Sequence, residues 1–296
     1  MKSHRKALSL LMCAFFIAAT GTAAFSQTGT CAFQTLNFPA PANHLPTPTA
    51  LNDLGAIVGS YLDANATSHG FLLYQGKVSS FMFPGSIRTE ALDISRTGII
   101  VGTYNVSGVV GTRAFMVKSG VFHQITIPGF LSTNTSAFGV NANGDVVGRF
   151  VSNGTAFGYL LRNGKLTILS FPGATAGTTP TSINDQGVVV GNYFLSPFDG
   201  GHAFMWKDGV FSNVTPFGST FSLASKISNT GVVVGSYVAD GLRHGYAFEN
   251  GTYTKIDLSP TVGSLVDAVN KFDNVIAEKI EGSVDPLFKG FCAAAF

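Results

Sequence analysis

The sequence predicts an all-β fold: a six-bladed β-propeller of four-stranded antiparallel blades, the last blade closed by a strand from the N-terminus. Three observations predict it. The glycine of a Val-Gly-x-Tyr motif stands at Gly59, Gly102, Gly148, Gly191 and Gly235, with a worn copy at Ala277, in steps of 43, 46, 43, 44 and 42 residues. A fixed period near that length marks a repeat architecture. Each period breaks into four short apolar runs separated by turn residues, which is the module of a propeller blade. The sixth copy stops after its third run, while an unclaimed fourth-strand pattern, Phe33-Gln34-Thr35-Leu36-Asn37-Phe38-Pro39, stands near the start.

Taken in order, the first run of each unit is short (Thr49-Ala50-Leu51) and ends in an Asn/Ser-x-x-Gly turn, as at Asn52 to Gly55, Ser95 to Gly98, Asn141 to Gly144, Asn184 to Gly187 and Ser228 to Gly231. Asn, Ser and Gly suit it because local side-chain bonding and positive φ are what a tight hairpin needs. The second run, such as Ile57-Val58-Gly59-Ser60-Tyr61, is β-branched without polar alternation, which fits a strand covered on both faces. Its glycine implies a close neighbouring backbone. The third run opens His69-Gly70-Phe71, Arg113-Ala114-Phe115, Phe157-Gly158-Tyr159, His202-Ala203-Phe204, His244-Gly245-Tyr246 and Lys289-Gly290-Phe291. A two-residue turn such as Asn163-Gly164 follows, and the fourth run ends at a Pro-Gly stop, as at Pro84-Gly85, Pro128-Gly129 and Pro172-Gly173.

This repeat resembles the HAF family of extracellular repeat proteins of bacteria, named for a His-Ala-Phe triplet that stands literally at His202-Ala203-Phe204. The resemblance runs from about Cys31 to Phe296 and implies export and propeller-like repeats, with no particular activity. Phe157 and Lys289 depart from the triplet, and Ile276-Ala277-Glu278-Lys279 from the second-strand motif.

Residues 1–26 read as a secretory signal: Lys2, Arg5 and Lys6 precede an apolar run that ends in small residues near Ala24. The propeller domain occupies 31–296, and the expected location is secreted, periplasmic or cell-surface. Three of the 18 basic residues and none of the 16 acidic ones lie in the leader, so the mature chain carries a net charge of −1. That excludes a large positive field for nucleic acid and a polybasic membrane contact. Membrane insertion of the mature chain is not expected either. Cys31 and Cys292 survive processing, and an even count in an oxidising compartment favours a disulfide.

Strand alternation puts the tight turns on one face of the ring and the longer connections on the other, where binding is expected because variable loops on a rigid scaffold carry function. His69, Arg113, His202, His244 and Lys289 open third strands as a broken ring on that loop-rich face. Each is expected to cap its own strand edge, with an anion or metal site as the alternative. The inner-strand position Ala50, Asp93, Gly139, Ser182, Lys226, Ala268 breaks the repeat. Blades two and five oppose each other, so Asp93 and Lys226 could project toward one axis, where a structural ion pair or plain solvation of the channel is expected over a functional site. Arg88 and Glu90 lie beside a loop, and Phe130, Phe194, Phe198, Phe217 and Phe221 in or beside loops, as gap fillers or as a binding surface.

Glu is confined to positions 90, 249, 278 and 281, and no nucleophile elbow, zinc-protease, phosphate-loop or calcium-loop motif occurs. The sequence therefore favours a non-enzymatic, exported binding module with no cofactor and no metal, acting on an extracellular polymer or protein. The alternatives are a glycan- or polymer-acting hydrolase or lyase, using Asp93, Glu90 or a channel histidine, and a structural envelope protein.

Overall fold

The computed structural model describes residues 46–132, 134–216, 218–219 and 221–256, together with the strands Leu8–Leu11, Phe33–Leu36, Gly263–Val269, Asn274–Ile280 and Lys289–Ala293. The first two strands, β1 (Leu8–Leu11) and β2 (Phe33–Leu36), form a separate antiparallel pair. Blade 1 is β3 (Thr47–Leu51), β4 (Ile57–Leu62), β5 (Ser68–Tyr74) and β6 (Lys77–Phe81). Blade 2 is β7 (Arg88–Ile94), β8 (Ile100–Asn105), β9 (Arg113–Lys118) and β10 (Val121–Ile125). Blade 3 is β11 (Asn134–Val140), β12 (Val146–Ser152), β13 (Thr155–Arg162) and β14 (Lys165–Leu169). Blade 4 is β15 (Gly177–Ile183), β16 (Val189–Phe194), β17 (His202–Lys207) and β18 (Val210–Asn213). Blade 5 is β19 (Phe221–Ile227), β20 (Val233–Ala239), β21 (Leu242–Glu249) and β22 (Thr252–Ile256), and a last sheet contains β23 (Gly263–Val269), β24 (Asn274–Ile280) and β25 (Lys289–Ala293). Each sheet is an antiparallel meander.

Five four-stranded blades are therefore complete, not six. The expected closure is corrected as well: β2 pairs with β1, Leu36 opposite Leu8 and Phe33 opposite Leu11, and makes no ladder with β25. The apolar leader supplies an antiparallel partner for the backbone groups of β2, which must pair somewhere. The inner strand β23 still lies against both β19 and β3, so the three-stranded sheet sits between blade 5 and blade 1. Cys31 lies outside the described residues.

The turns form as their residues dictate. Asn52 Oδ1 accepts the backbone N–H groups of Leu54 and Ala56, Gly55 takes φ +78°, and the Ser and Asn counterparts at 95, 141, 184 and 228 repeat the arrangement. The third-to-fourth strand turns are two-residue pairs with both φ values positive, as at Asn163 (φ 50°) and Gly164 (φ 75°), the geometry that matches strand twist.

Every inner strand carries a β-bulge at one place: the register jumps between Pro48 and Ala50, Ala91 and Asp93, Ala137 and Gly139, Pro180 and Ser182, Ala224 and Lys226, and Val266 and Ala268. The extra residue pushes a carbonyl into the second strand. This explains the glycine of the Val-Gly-x-Tyr motif, since a Cβ at Gly102 would sit 1.9 Å from the Glu90 carbonyl oxygen. The third residue of the triplet crosses above that glycine: Phe71, Phe115, Tyr159, Phe204 and Tyr246 pair with the motif glycines and are fully buried. Burying such a ring contributes about 1.5–3 kcal/mol. Between blades, Phe83 stacks on Tyr104 at 3.8 Å and Phe171 on Tyr193 at 3.7 Å, so the Phe before two of the three Pro-Gly stops docks on the tyrosine of the next blade.

The last sheet departs from this pattern. Ala277 faces Gly290 and Glu278 faces Lys289, one residue out of step with the other blades. Lys289 consequently does not hold the triplet's first position in space.

Replacing Gly102 with Ala is expected to cost about 1–3 kcal/mol, because the backbone of β7 must move to admit the methyl. Urea unfolding measures this as a fall in midpoint at unchanged slope.

Candidate functional site

The axis of the ring is lined by the residues that follow the bulges. Asp93 and Lys226 reach across it from blades 2 and 5 and form an ion pair, Nζ to Oδ1 2.8 Å, each side chain 11% exposed. Asp93 Oδ2 also accepts the N–H of Val140 in blade 3 at 2.9 Å, and Lys226 Nζ donates to the Phe138 carbonyl at 3.4 Å. Ser182 Oγ accepts the N–H of Ile227 in blade 5. The repeat-breaking polar residues thus join inner strands to one another. Asp93 and Lys226 are each engaged by the other and by a backbone group of blade 3.

Beyond the pair, toward the tight-turn face, lies a cavity of about 60 Å³. Such a volume holds a few waters, not a substrate. Its mouth is crossed by the second residues of the tight turns: Arg96 Nε pairs with Asp185 Oδ2 at 2.5 Å, Asn229 Nδ2 donates to Asp53 Oδ2 at 3.4 Å, and Asp185 Oδ1 accepts the N–H of Ala142 at 2.7 Å. Turn chemistry explains the first residue of each turn, whereas the second varies as Asp53, Arg96, Ala142, Asp185 and Asn229. That variation, the same signal that singled out Asp93, marks this ring in the sequence too.

On the loop-rich face, among the five complete blades, long second-to-third strand loops occur in blades 1, 2 and 4. Blade 5 turns at Asp240 (φ 52°) and Gly241 in a two-residue hairpin, as blade 3 does at Asn153-Gly154. Arg243 lies over the Phe221 ring at 5.0 Å.

The triplet's first residue sits cross-strand from the tyrosine of Val-Gly-x-Tyr. Tyr61 stacks on His69 at 5.3 Å and Tyr193 on His202 at 5.1 Å, Tyr237 tilts against His244 at 5.2 Å, and in blade 3 a stacked Phe150–Phe157 pair replaces them. His69 Nε2 meets Asp63 Oδ2 at 3.0 Å and His202 Nε2 meets Asp199 Oδ2 at 3.2 Å. Each aspartate also closes its own loop: Asp63 accepts from Asn65 and Thr67, Asp199 from Leu195 and Gly201. These histidines cap local structure, as expected. No hydroxyl or thiol is hydrogen-bonded to either imidazole among the described residues. No group of three metal-ligating side chains occurs among those residues.

Arg88 and Glu90 pair with each other at the start of β7. Phe130 packs against Phe150 and Phe157, and Phe221 lies under Arg243; both fill gaps. Phe217 lies outside the described residues. Phe198 stands fully in solvent at 99% exposure on the blade 4 loop, with Leu131 at 92% and Val110 at 91% on blade 2 loops of the same face. Ile87, Val109 and Leu195, also exposed, belong to that face as well. The Ile87 N–H donates to Asn105, and Asn134 Oδ1 accepts from the backbone and hydroxyl of Thr112, which ties the loops of blades 2 and 3 together.

Comparison with solved structures finds β-propellers. TolB of Agrobacterium tumefaciens is 12% identical at a TM-score of 0.56, over 76% of this chain and 83% of that one. TolB of Acinetobacter baumannii is 15% identical at 0.51, over 76% and 57%, and an acylaminoacyl peptidase of Pyrococcus horikoshii 12% identical at 0.54, over 85% and 43%. The chain thus spans little more than half of the second of these proteins and less than half of the third. At such identities the likeness defines the class by fold alone, the β-propeller. No family model and no curated relative matches the chain.

Two outcomes follow from the site. Removing one member of the axial pair, by Lys226→Met or Asp93→Leu alone, is expected to cost about 3–5 kcal/mol, whereas the double replacement is neutral or stabilising, because only the single variants strand a buried charge; a double-mutant cycle by urea unfolding reads the coupling. For Asp63, the N–H of Thr67 and the imidazole of His69 hold the carboxyl below 3.8. For Asp199, burial opposes ionisation, but the N–H groups of Leu195 and Gly201 with His202 together keep it below 3.8 too. Depressed carboxyl pKa values stabilise the loops above the unfolded value and lose that effect as pH falls through the folded one. Carboxyl-carbon NMR titration should place both midpoints under 3.8, and His69→Ala should raise that of Asp63.

Proposed function

We propose that the protein is an exported, non-enzymatic binding propeller that engages an extracellular partner through its loop-rich face. One observation carries this reading: Phe198, Leu131 and Val110 stand almost wholly in solvent on loops of one face, in a chain whose axis is crossed by the Asp93–Lys226 ion pair. Large apolar side chains gathered on one face of a rigid scaffold favour a protein surface as the partner over a glycan or other polymer.

Export rests on the leader at residues 1–26 and agrees with the small charged fraction, 11%. β1 lies against β25 as well as pairing with β2, so removal of the leader would vacate that position and free Phe33–Leu36 to pair with β25, closing the sixth blade and bringing Cys31 toward Cys292. A hydrolase or lyase is the second reading, favoured only by the Asp63–His69 and Asp199–His202 pairs.

Immobilised mature protein is expected to capture a partner from the extracellular fraction or a glycan array, and the Leu131→Asp/Phe198→Asp variant to bind it at least tenfold more weakly with an unchanged melting temperature. Undiminished capture by that folded variant would remove the loop-face reading. Polymer turnover abolished by His202→Ala would instead establish the enzyme.

A further inference from the structure

The repeat provides its own control for one residue. In blades 1 and 4 the cation-forming side chain that opens the third strand faces a loop carboxylate, His69 with Asp63 and His202 with Asp199. Blade 2 has Arg113 there, cross-strand from Tyr104, and its loop, residues 106–112, reads Val-Ser-Gly-Val-Val-Gly-Thr with no acid. Asp199 precedes His202 by three residues, and the residue three before Arg113 is Val110, which points into solvent. One terminal guanidinium nitrogen of Arg113, Nη1, is buried and without a hydrogen-bond partner among the described residues. Arg88, Arg96 and Arg162 each pair with a carboxylate, and Arg243 lies over a ring.

A buried, permanently charged donor without an acceptor is costly and marks a place where an acceptor is missing. Guanidinium geometry matches a carboxylate through two parallel hydrogen bonds. Val109, Val110 and Leu131 stand exposed on the loops tied together at Thr112, the residue before Arg113. We infer that Arg113 is the anchor of a subsite for a carboxylate flanked by apolar groups, supplied by the partner as a chain terminus that ends in an apolar residue. The inference deepens the proposed binding role of the loop-rich face and rests on it. The ligand supplies in trans the carboxylate that Asp199 supplies in cis.

The processed protein, labelled with ¹⁵N-arginine, is titrated with N-acetyl-leucine, N-acetyl-leucinamide and sulfate. N-acetyl-leucine is expected to shift the Arg113 side-chain resonance saturably, the amide not at all, and sulfate at least tenfold more weakly. Arg113→Gln should lose the response, and Val110→Asp, which copies the Asp199 spacing, should weaken N-acetyl-leucine at least tenfold while raising the melting temperature. The Val110→Asp arm keeps the test open where Arg113→Gln does not fold. No shift with N-acetyl-leucine, an equal response to sulfate, or binding unaffected by Val110→Asp overturns the subsite. A partner that Leu131→Asp/Phe198→Asp loses and Arg113→Gln keeps also overturns it, while leaving the loop-face role standing.

Discussion

The inner strands must be held to one another without a ladder between them, and the bulge in each one is what the rest of the structure depends on. A propeller's inner strands diverge around the axis and cannot share a sheet. The extra residue turns side chains and carbonyls sideways, toward the next blade. Thr49 Oγ1 donates to the Ala91 carbonyl at 2.8 Å and Thr181 Oγ1 to that of Ala224 at 2.9 Å. Lower on the ring, Asn52, Asn141 and Asn184 donate to the carbonyls of Ser95, Asn184 and Ser228. The ring is stitched by side-chain amides and hydroxyls, which explains why a chain so poor in charge is rich in Asn, Ser and Thr.

The same bulge forces glycine into the second strand, and the glycine admits the aromatic residue of the third. The bulge, the Val-Gly-x-Tyr motif and the triplet are therefore one packing unit seen from three strands. Where it fails, at Ala277, the register of β25 slips by one. The inner end of the channel is closed by Asp93 and Lys226, and its tight-turn mouth by Arg96, Asp53, Asp185 and Asn229. With the axis occupied by these pairs, the proposed recognition falls to the loops of the other face.

Those loops are not equivalent. Blades 3 and 5 turn in two residues, whereas blades 1 and 4 fold their longer loops around an aspartate that also holds a histidine. Blade 2 keeps a long loop with an arginine beneath it and no aspartate. Opposed blades 1 and 4 are alike, and the asymmetry that a partner can read lies at blade 2 and its neighbour.

Much of this was legible in the residues. Period, strand order, the Pro-Gly and Asn-x-x-Gly turns and the meeting of Asp93 with Lys226 follow from local chemistry repeated at a fixed interval, since a turn or an apolar run acts over a few residues and a period fixes which blades oppose. The partner of Phe33–Leu36 did not follow, because an apolar strand edge accepts any partner of suitable pattern and only the assembled chain shows that Leu8–Leu11 takes it. The slip of Lys289, the contacts across the tight-turn mouth and the unpaired nitrogen of Arg113 were decided in the same way: each depends on which atoms meet once the strands and turns are assembled, which no local pattern specifies.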